Sequence, residues 1–198
     1  MWNERYDTPD YVFGTEPADF MLAHEHHLKP GLKGLAVADG EGRNSVFMAQ
    51  RGVETVAMDM SSNALRKAKA LADERGVTVQ HIEASVTDWH WQPAAFDLVV
   101  AVFIQFLSPD ERAAVFAGMV ETLKPGGVLM LHGYRPEQLG YGTGGPPIEE
   151  NLYTEALLRE HFAGLEILAL DSYDKEIDEG VGHSGMSALI DLVARKPA

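Results

Sequence analysis

The sequence lacks cysteine entirely, which excludes disulfide bridges, a thiolate nucleophile and cysteine-built metal sites. Basic residues are also scarce, because 16 lysines and arginines stand against 30 aspartates and glutamates, for a formal net charge of -14. A surface with this charge repels a phosphate backbone, so we expect no nucleic-acid partner. No apolar run approaches the length of a membrane span, and the first residues lack the pattern of a secretion signal. The composition therefore predicts a cytoplasmic protein that does not associate with membranes.

Strand-like and helix-like segments alternate along most of the chain. The apolar runs that predict strands are GLAVAD (34–39), VETVAMDM (53–60), VTVQHIEA (77–84), FDLVVAVFI (96–104) and VLMLHG (128–133). The helical patterns occupy residues 44–52, 61–76 and 108–127. This alternation implies right-handed crossovers and a parallel sheet with helices on both sides. For a chain of 198 residues we expect a single domain, residues 1–198, with a doubly wound α/β fold.

The last part of the chain departs from this alternation. After a helix near residues 154–162, strand-like segments at 165–177 and 186–196 are separated only by a short turn. A crossover helix does not fit there, so the two segments are predicted to pair as a C-terminal antiparallel hairpin and to complete a seven-stranded, mostly parallel sheet. Residues 1–30 precede the first strand and are expected to fold across the sheet as an arm or lid. Residues 134–151 follow the fifth strand at the edge where ligands bind, which predicts a substrate loop.

A glycine-containing turn, AVADGEGRNS (36–45), lies between the first predicted strand and the first predicted helix. Gly40 and Gly42 alone indicate little, because a tight strand-to-helix turn needs glycine with or without a ligand. A dinucleotide fingerprint would need its third glycine at Ser45. Asp59 ends the second predicted strand, where a carboxylate can accept hydrogen bonds from both hydroxyls of a ribose. The alternative for Asp59 is a turn or capping residue beside Ser61.

Further motifs indicate which class of ligand-binding protein the glycine turn belongs to. The glycine turn, Asp59, FDLVVA (96–101), LKPGG (123–127) and the terminal hairpin together resemble the class I S-adenosylmethionine-dependent methyltransferases, over nearly the whole chain. More narrowly, GEGRNS is similar to the glycine loop of the small bacterial tellurite-resistance (TehB-like) type. The resemblance implies a Rossmann-like methyltransferase fold, S-adenosylmethionine as cofactor, and in-line methyl transfer to a small molecule such as a thiol or a chalcogen oxyanion. We expect a monomer or a homodimer.

The resemblance also implies a set of cofactor-binding residues: Asp39, Gly40, Glu41, Gly42, Asn44, Asp59, Met60, Ser85, Val86, Asp88 and Val102. Two departures from the family pattern accompany them. Ala36 and Ala38 stand where relatives carry an acidic residue before the loop, so Asp39 or main-chain groups are expected to hold the methionine end. After the third strand, Ser85 and Val86 occupy the region where many relatives have an acidic residue facing the adenine. Asp88 or main-chain atoms are then expected to face the adenine.

The side chains expected near the substrate are Tyr134, Tyr141 and His183. With the ordinary pKa of a histidine, His183 is the best suited of the three to accept a proton near neutrality. A purely structural place in the turn between the last two strands is the alternative. Rings of the N-terminal arm, those of Tyr6, Tyr11 and Phe13, are expected to face the positive sulfonium, although each ring could also be ordinary packing.

Three other interpretations are considered. The histidines of HEHH, His24, His26 and His27, resemble metal ligands, but no ordered third ligand is evident, so we expect no metal. A nicotinamide-dependent oxidoreductase would use a similar turn, but it predicts glycine at Ser45 and a further parallel strand in place of the hairpin. A non-catalytic protein that binds S-adenosylmethionine or S-adenosylhomocysteine shares every motif above, because function resides in the site rather than the fold.

Overall fold

The computed structural model describes residues 1–198 and contains seven strands and seven α-helices. The strands are β1 (Lys33–Val37), β2 (Glu54–Asp59), β3 (Val79–Glu83), β4 (Phe96–Val102), β5 (Leu123–Tyr134), β6 (Glu166–Asp178) and β7 (Ser184–Arg195). The helices are α1 (Trp2–Arg5), α2 (Asp19–Ala23), α3 (Arg43–Gln50), α4 (Ser62–Glu74), α5 (Pro109–Thr122), α6 (Gln138–Tyr141) and α7 (Glu155–His161).

The seven strands form one sheet in the order β3-β2-β1-β4-β5-β7-β6. Strands β1 to β5 are parallel, whereas β7 pairs antiparallel with both β5 and β6. The predicted doubly wound fold with a terminal antiparallel hairpin is therefore confirmed. Because β1 pairs with β2 on one side and with β4 on the other, the chain reverses its winding at β1. The carboxyl ends of β1 and β4 consequently flank the crevice where such sheets bind ligands.

The central strands are buried on both faces, as their apolar sequences predict. In β1, Leu35 and Val37 belong to the larger core cluster, whereas Ala36 belongs to the cluster on the other face of the sheet. This alternation is the expected consequence of successive side chains pointing to opposite faces of a strand. The two cores fix the strand ends that carry the site.

The fifth strand begins earlier than the sequence predicts. The pattern of residues 108–127 predicts a helix that ends at Pro125 and the two glycines after it, but α5 ends at Thr122 and the LKPGG segment belongs to β5. Leu123 has an extended backbone, is fully buried, and pairs with Phe96 of β4. Burial of the Leu123 side chain against the sheet thus ends the helix before Pro125. Within the predicted loop at 134–151, the short helix α6 and a single 3-10 turn also form.

The N-terminal arm, residues 1–30, crosses the glycine loop and is held there by buried side chains. The carboxylate of Glu41 accepts hydrogen bonds from the main-chain N–H groups of Val12 and Phe13, at 2.8 and 3.3 Å. Lys67 of α4 forms a buried ion pair with Glu41, at 2.7 Å. The side-chain oxygen of Asn44 accepts the N–H of Ala18, at 3.0 Å. The arm therefore depends on residues of the loop that it covers.

The turn between β6 and β7 packs against the same arm through glycine. A Cβ atom at Gly180 would lie 2.6 Å from the carbonyl oxygen of Val12 and 2.7 Å from the nitrogen of Gly14. The φ of Gly180 is +79°, in the region that favours glycine. A Cβ at Gly182 would overlap the ring of Phe13. The hairpin tip can approach the arm this closely only because these positions lack side chains.

We expect Gly180→Ala to displace the arm from the hairpin tip. The new Cβ would meet main-chain atoms, which cannot move aside as a side chain can, and the positive φ adds backbone strain. The measurement is limited proteolysis within residues 7–16, which should become faster than in the original protein. Gly164→Ala is the matched control, because a Cβ there meets nothing within 4 Å. Equal cleavage rates in both variants would contradict the prediction.

Candidate active site

A cleft lies at the carboxyl ends of the parallel strands, beneath the N-terminal arm. It holds about 810 Å³ of space free of protein atoms, including the solvent at its open mouth. Its wall comes from the ends of β1, β2 and β4, the segment after β3, the arm and the hairpin tip. This is the position that the sheet topology favours for a ligand.

The two loop glycines have different neighbours. Gly40 lines the cleft with a φ of +63°, and a Cβ there would lie 2.9 Å from the hydroxyl of Tyr6. Gly42, with a φ of +92°, precedes α3 and faces away from the cleft, since its Cβ would meet the Cα of Ala68 at 2.8 Å. Gly40 therefore leaves main chain bare at the cleft, whereas Gly42 permits close packing of the loop on α4.

Asp59 joins the ends of β1 and β2 and also lines the cleft. One carboxylate oxygen accepts the N–H of Gly40 and the other accepts the N–H of Ser61, both at 2.8 Å. A carboxylate has about four acceptor positions, so these two bonds leave capacity for hydroxyl groups of a ligand. Burial raises the pKa of Asp59, while the main-chain hydrogen bonds act in the opposite direction. The turn role and the ligand role of Asp59 are thus compatible.

Asp39 is a partly buried carboxyl group in the loop itself. Its oxygens accept hydrogen bonds from the main-chain N–H of Ser45, at 3.1 Å, and from the Ser45 hydroxyl. Burial raises its pKa to about 7 despite these bonds, and the nearby charge of Asp59 acts in the same direction. Near neutral pH the group is therefore divided between its charged and neutral forms, so a cation in the cleft would favour the charged form.

Most of the residues predicted to bind the cofactor lie in the cleft wall. Those that line it are Asp39, Gly40, Glu41, Asn44, Asp59, Met60, Ser85, Val86 and Val102. Gly42 and Asp88 do not, and Asp88 is exposed on the surface. The side-chain oxygens of Glu41 and Asn44 are engaged by the arm. The region around Met60, Val86 and Val102 is mainly apolar and suits a flat ring system.

His183 lies in the cleft wall between two aromatic rings and is 9% exposed. Its ring centroid is 4.4 Å from that of Phe13 and 4.2 Å from that of Phe103, and its Nδ1 is buried without a hydrogen-bond partner. Burial, with the charge of Arg43, lowers the pKa of His183 to about 3. The ordinary pKa assumed from the sequence is therefore wrong, because the imidazole is enclosed by rings and faces a cation.

The two predicted tyrosines are not part of the cleft wall. Tyr134 is 1% exposed and lies behind His183, at a ring-centroid distance of 5.7 Å, and burial raises its pKa. Tyr141 is on the surface, where its hydroxyl donates to Asp174 at 2.8 Å. Of the arm rings, Tyr6 and Phe13 line the cleft, whereas Tyr11 does not.

The lining side chains that the sequence did not predict include four large ones: Trp2, Arg43, Phe103 and Phe106. Arg43 stands in the GEGRNS segment, so the loop pattern itself was the available signal. Its ion pair with Glu179, at 2.8 Å, joins residues far apart in the chain and left no local trace. Phe103 directly follows β4, the position at which open sheets present functional side chains, and this topological signal could have identified it.

The HEHH histidines do not form a metal centre. Nowhere in the chain do three or more His, Cys, Asp or Glu side chains stand close enough to hold a metal ion. His24 instead lies 3.4 Å from Asp191, which also contacts His132 at 2.6 Å and accepts a hydrogen bond from the hydroxyl of Tyr173 at 3.1 Å.

None of the helices combines the length and apolarity needed to cross a membrane.

A family model described as a methyltransferase domain matches residues 35–127. That range includes the glycine loop and Asp59. An uncharacterized methyltransferase of Synechocystis is 30% identical over 105 residues, which are 52% of this chain and 48% of that protein. The chain thus spans about half the length of the curated relatives it matches.

Two solved structures share the fold across nearly the whole chain. A SAM-dependent methyltransferase from Methanosarcina mazei superposes with a TM-score of 0.73 at 18% identity, over 92% of this chain and 99% of that one. TehB from Haemophilus influenzae gives a TM-score of 0.72 at 18% identity, over 98% of this chain and 65% of that one. At such identities the likeness establishes the fold, which here extends beyond the range of the family model.

Asp39→Asn should change how stability depends on pH. Because the folded pKa of Asp39 is raised from 3.8 to about 7, its contribution is stabilising at low pH and is lost as the pH rises through about 7. The melting temperature of Asp39→Asn, relative to the original protein, should therefore increase between about pH 4 and about pH 7 and change little above that. Asp73→Asn, on the exposed face of α4, is the control. A difference that does not vary with pH would show that Asp39 titrates normally.

Proposed function

We propose that this chain is a class I S-adenosylmethionine-dependent methyltransferase and that it transfers a methyl group to a small-molecule acceptor. The match of residues 35–127 to a methyltransferase-domain model supports the proposal. The observation that carries the proposal is the joint position of Gly40 and Asp59 in one cleft wall, linked by a hydrogen bond of 2.8 Å. Bare main chain and a carboxylate stand together where the sheet topology favours an adenosine-containing ligand.

The residues of the cleft fit S-adenosylmethionine. Asp59 has free acceptor positions for the ribose hydroxyls, and Met60, Val86 and Val102 provide the apolar surface for the adenine. At the other end, Gly40 and the carboxyl group of Asp39 would meet the methionine part. A cation bound there would lower the pKa of Asp39 and complete its ionisation. Asp39 thereby compensates for the absence of an acidic side chain at Ala36.

Aromatic rings support the binding of a sulfonium. Phe13, Phe103 and Tyr6 line the cleft, and ring faces attract cations. His183 between Phe13 and Phe103 is neutral at physiological pH because of its pKa of about 3, so it does not repel a positive ligand. The charge of Arg43 is offset by Glu179. The surroundings are therefore compatible with a positively charged methyl donor.

When bound, S-adenosylmethionine supplies a methyl group activated by the adjacent sulfonium. The chain contributes orientation, which can account for about 7 to 11 kcal/mol of a barrier when the reactants are well aligned. The arm excludes water by covering the loop through its bonds to Glu41 and Asn44. His183 can accept a hydrogen bond, but burial and the charge of Arg43 lower its pKa to about 3, so it is a weak proton acceptor. This favours an acceptor that already presents a free lone pair, such as a thiolate or a chalcogen oxyanion.

The oxidoreductase alternative loses support in this fold. The sheet has no further parallel strand after β5, because β7 enters antiparallel. Ser45, which stands in place of the third glycine, is fully buried and bonded to Asp39. A non-catalytic binding protein would use the same cleft, and only turnover separates it from the enzyme.

The turnover experiment uses methyl-labelled S-adenosylmethionine with a panel of thiols, selenite, tellurite and small phenols. We expect label in a soft nucleophile. For a thiol series, the rate should rise with pH along the ionisation of each thiol, because His183, with its lowered pKa, is too weak a base to deprotonate the thiol. Tight cofactor binding without transfer to any acceptor would favour the non-catalytic protein.

We expect Asp59→Ala to weaken the binding of S-adenosylhomocysteine by about tenfold to a hundredfold, the usual effect of losing hydrogen bonds to a charged group. The substitution removes the ribose acceptor and also releases the N–H of Gly40. Calorimetry measures the affinity, and thermal melting verifies folding. Asp73→Ala removes an exposed carboxylate of equal charge and serves as the control. Unchanged affinity in Asp59→Ala would remove Asp59 from the site.

A further inference from the structure

Arg43 is a buried cation with an incomplete set of partners. It is 7% exposed, stands in the first turn of α3 and lines the cleft. Its Nη2 donates to the carboxylate of Glu179 at 2.8 Å, but its Nη1 is buried and has no hydrogen-bond partner. Buried donors are nearly always satisfied in folded proteins, so such an atom in a cleft wall indicates a missing acceptor.

Both carboxylate oxygens of Glu179, the partner of Arg43, already accept a hydrogen bond. Glu179, which is 8% exposed, gives one oxygen to Arg43 and accepts the main-chain N–H of Asp19 with the other, at 3.1 Å. No second carboxylate pairs with Arg43. One anion therefore serves a guanidinium whose planar geometry suits two-pronged binding of carboxylates.

The surroundings add a second unsatisfied group. His183 lines the same cleft, has a buried Nδ1 without a partner, and lies near enough to Arg43 for the guanidinium charge to affect it. Arg5 of the arm adds positive charge at this end, with its guanidinium carbon 5.2 Å from the centre of the Phe13 ring. In a chain with a net charge of -14, this end of the cleft is locally favourable to an anion.

We propose that Arg43, with His183 beside it, forms a subsite for a carboxylate or similar oxyanion of a bound ligand. The inference rests on the proposed function for the identity of that ligand. Two sources share this chemistry: the carboxylate on the methionine part of the cofactor, and an acidic group on the methyl acceptor. In either case the ligand completes the hydrogen bonding of Arg43 and strengthens the link between α3 and the hairpin tip.

The test compares the original protein with one variant. Removing Arg43 alone would leave Glu179 as an uncompensated buried charge, and removing Glu179 alone would leave Arg43 in the same state; either change could unfold the chain. The test variant is therefore the double substitution Arg43→Met with Glu179→Gln, and the original protein is its control. The amide introduced at position 179 keeps an acceptor for the N–H of Asp19. Thermal melting establishes that the double variant folds.

The first arm uses calorimetry to test whether Arg43 binds the carboxylate of the cofactor. The probes are S-adenosylhomocysteine and its decarboxylated analogue, which differ only in the carboxylate. If Arg43 binds that group, the double variant loses at least about tenfold in affinity for S-adenosylhomocysteine relative to the control, and its affinity for the analogue is unchanged.

The second arm tests whether Arg43 binds an acidic group of the methyl acceptor. Control and double variant, each saturated with S-adenosylhomocysteine, are titrated with acetate, phosphate and selenite while the melting temperature is followed. An oxyanion that stabilises the control and not the double variant supports the subsite. The proposal is overturned if neither arm distinguishes the two proteins, or if the double variant loses both adenosine ligands equally. If the original protein fails to bind S-adenosylhomocysteine at all, the proposed function falls, and the oxyanion titration of the free protein still decides the role of Arg43.

Discussion

The hydrogen bonds of Asp59 are the constraint on which the cleft depends. One carboxylate group, at the end of β2, holds the N–H of Gly40 from the neighbouring strand-to-helix turn and the N–H of Ser61 at the start of the next helix. Two adjacent turns of the parallel sheet are thus fixed relative to each other by a single buried side chain. Because that side chain also lines the cleft, any group that it binds is placed relative to both turns. The local order of the loop and the binding of a ligand therefore both depend on the carboxylate oxygens of Asp59.

Two buried ion pairs then join this loop to α4 and to the hairpin tip. Glu41 pairs with Lys67 and holds the arm, and Arg43 pairs with Glu179 at the hairpin tip. A buried pair contributes little net stability, because the desolvation of both charges offsets their attraction. Breaking one partner is costly, however, so each pair restricts where the arm and the hairpin can lie. Each pair also buries a basic side chain against a carboxylate, since Lys67 and Arg43 are both 7% exposed.

The sequence was informative where structure follows from local patterns. The strand and helix alternation, Gly40 at the turn and Asp59 at a strand end are local features, and each could be assigned to its place in the sheet. Three kinds of feature could not be predicted from local patterns. The strand pairing of Leu123 depends on burial against Phe96; the pKa of His183 depends on rings and charges from distant segments. Whether a tyrosine reaches the cleft depends on how its segment packs, which composition does not encode. Long-range packing decided each of these against the local expectation.

Backbone strain marks the two strands on either side of the winding reversal. Ala38 follows β1 with a φ of +48°, and Phe103 follows β4 with a φ of +57°. Both residues line the cleft, and positive φ is unfavourable for alanine and more so for a bulky ring. Such conformations persist only where the surrounding structure determines them, here through the paired β1 and β4 strands. The strained backbone directs the Phe103 ring between His132 and His183, at centroid distances of 4.7 and 4.2 Å. The backbone strain at Ala38 and Phe103 is therefore the free-energy cost of a cleft wall that has its shape before any ligand binds.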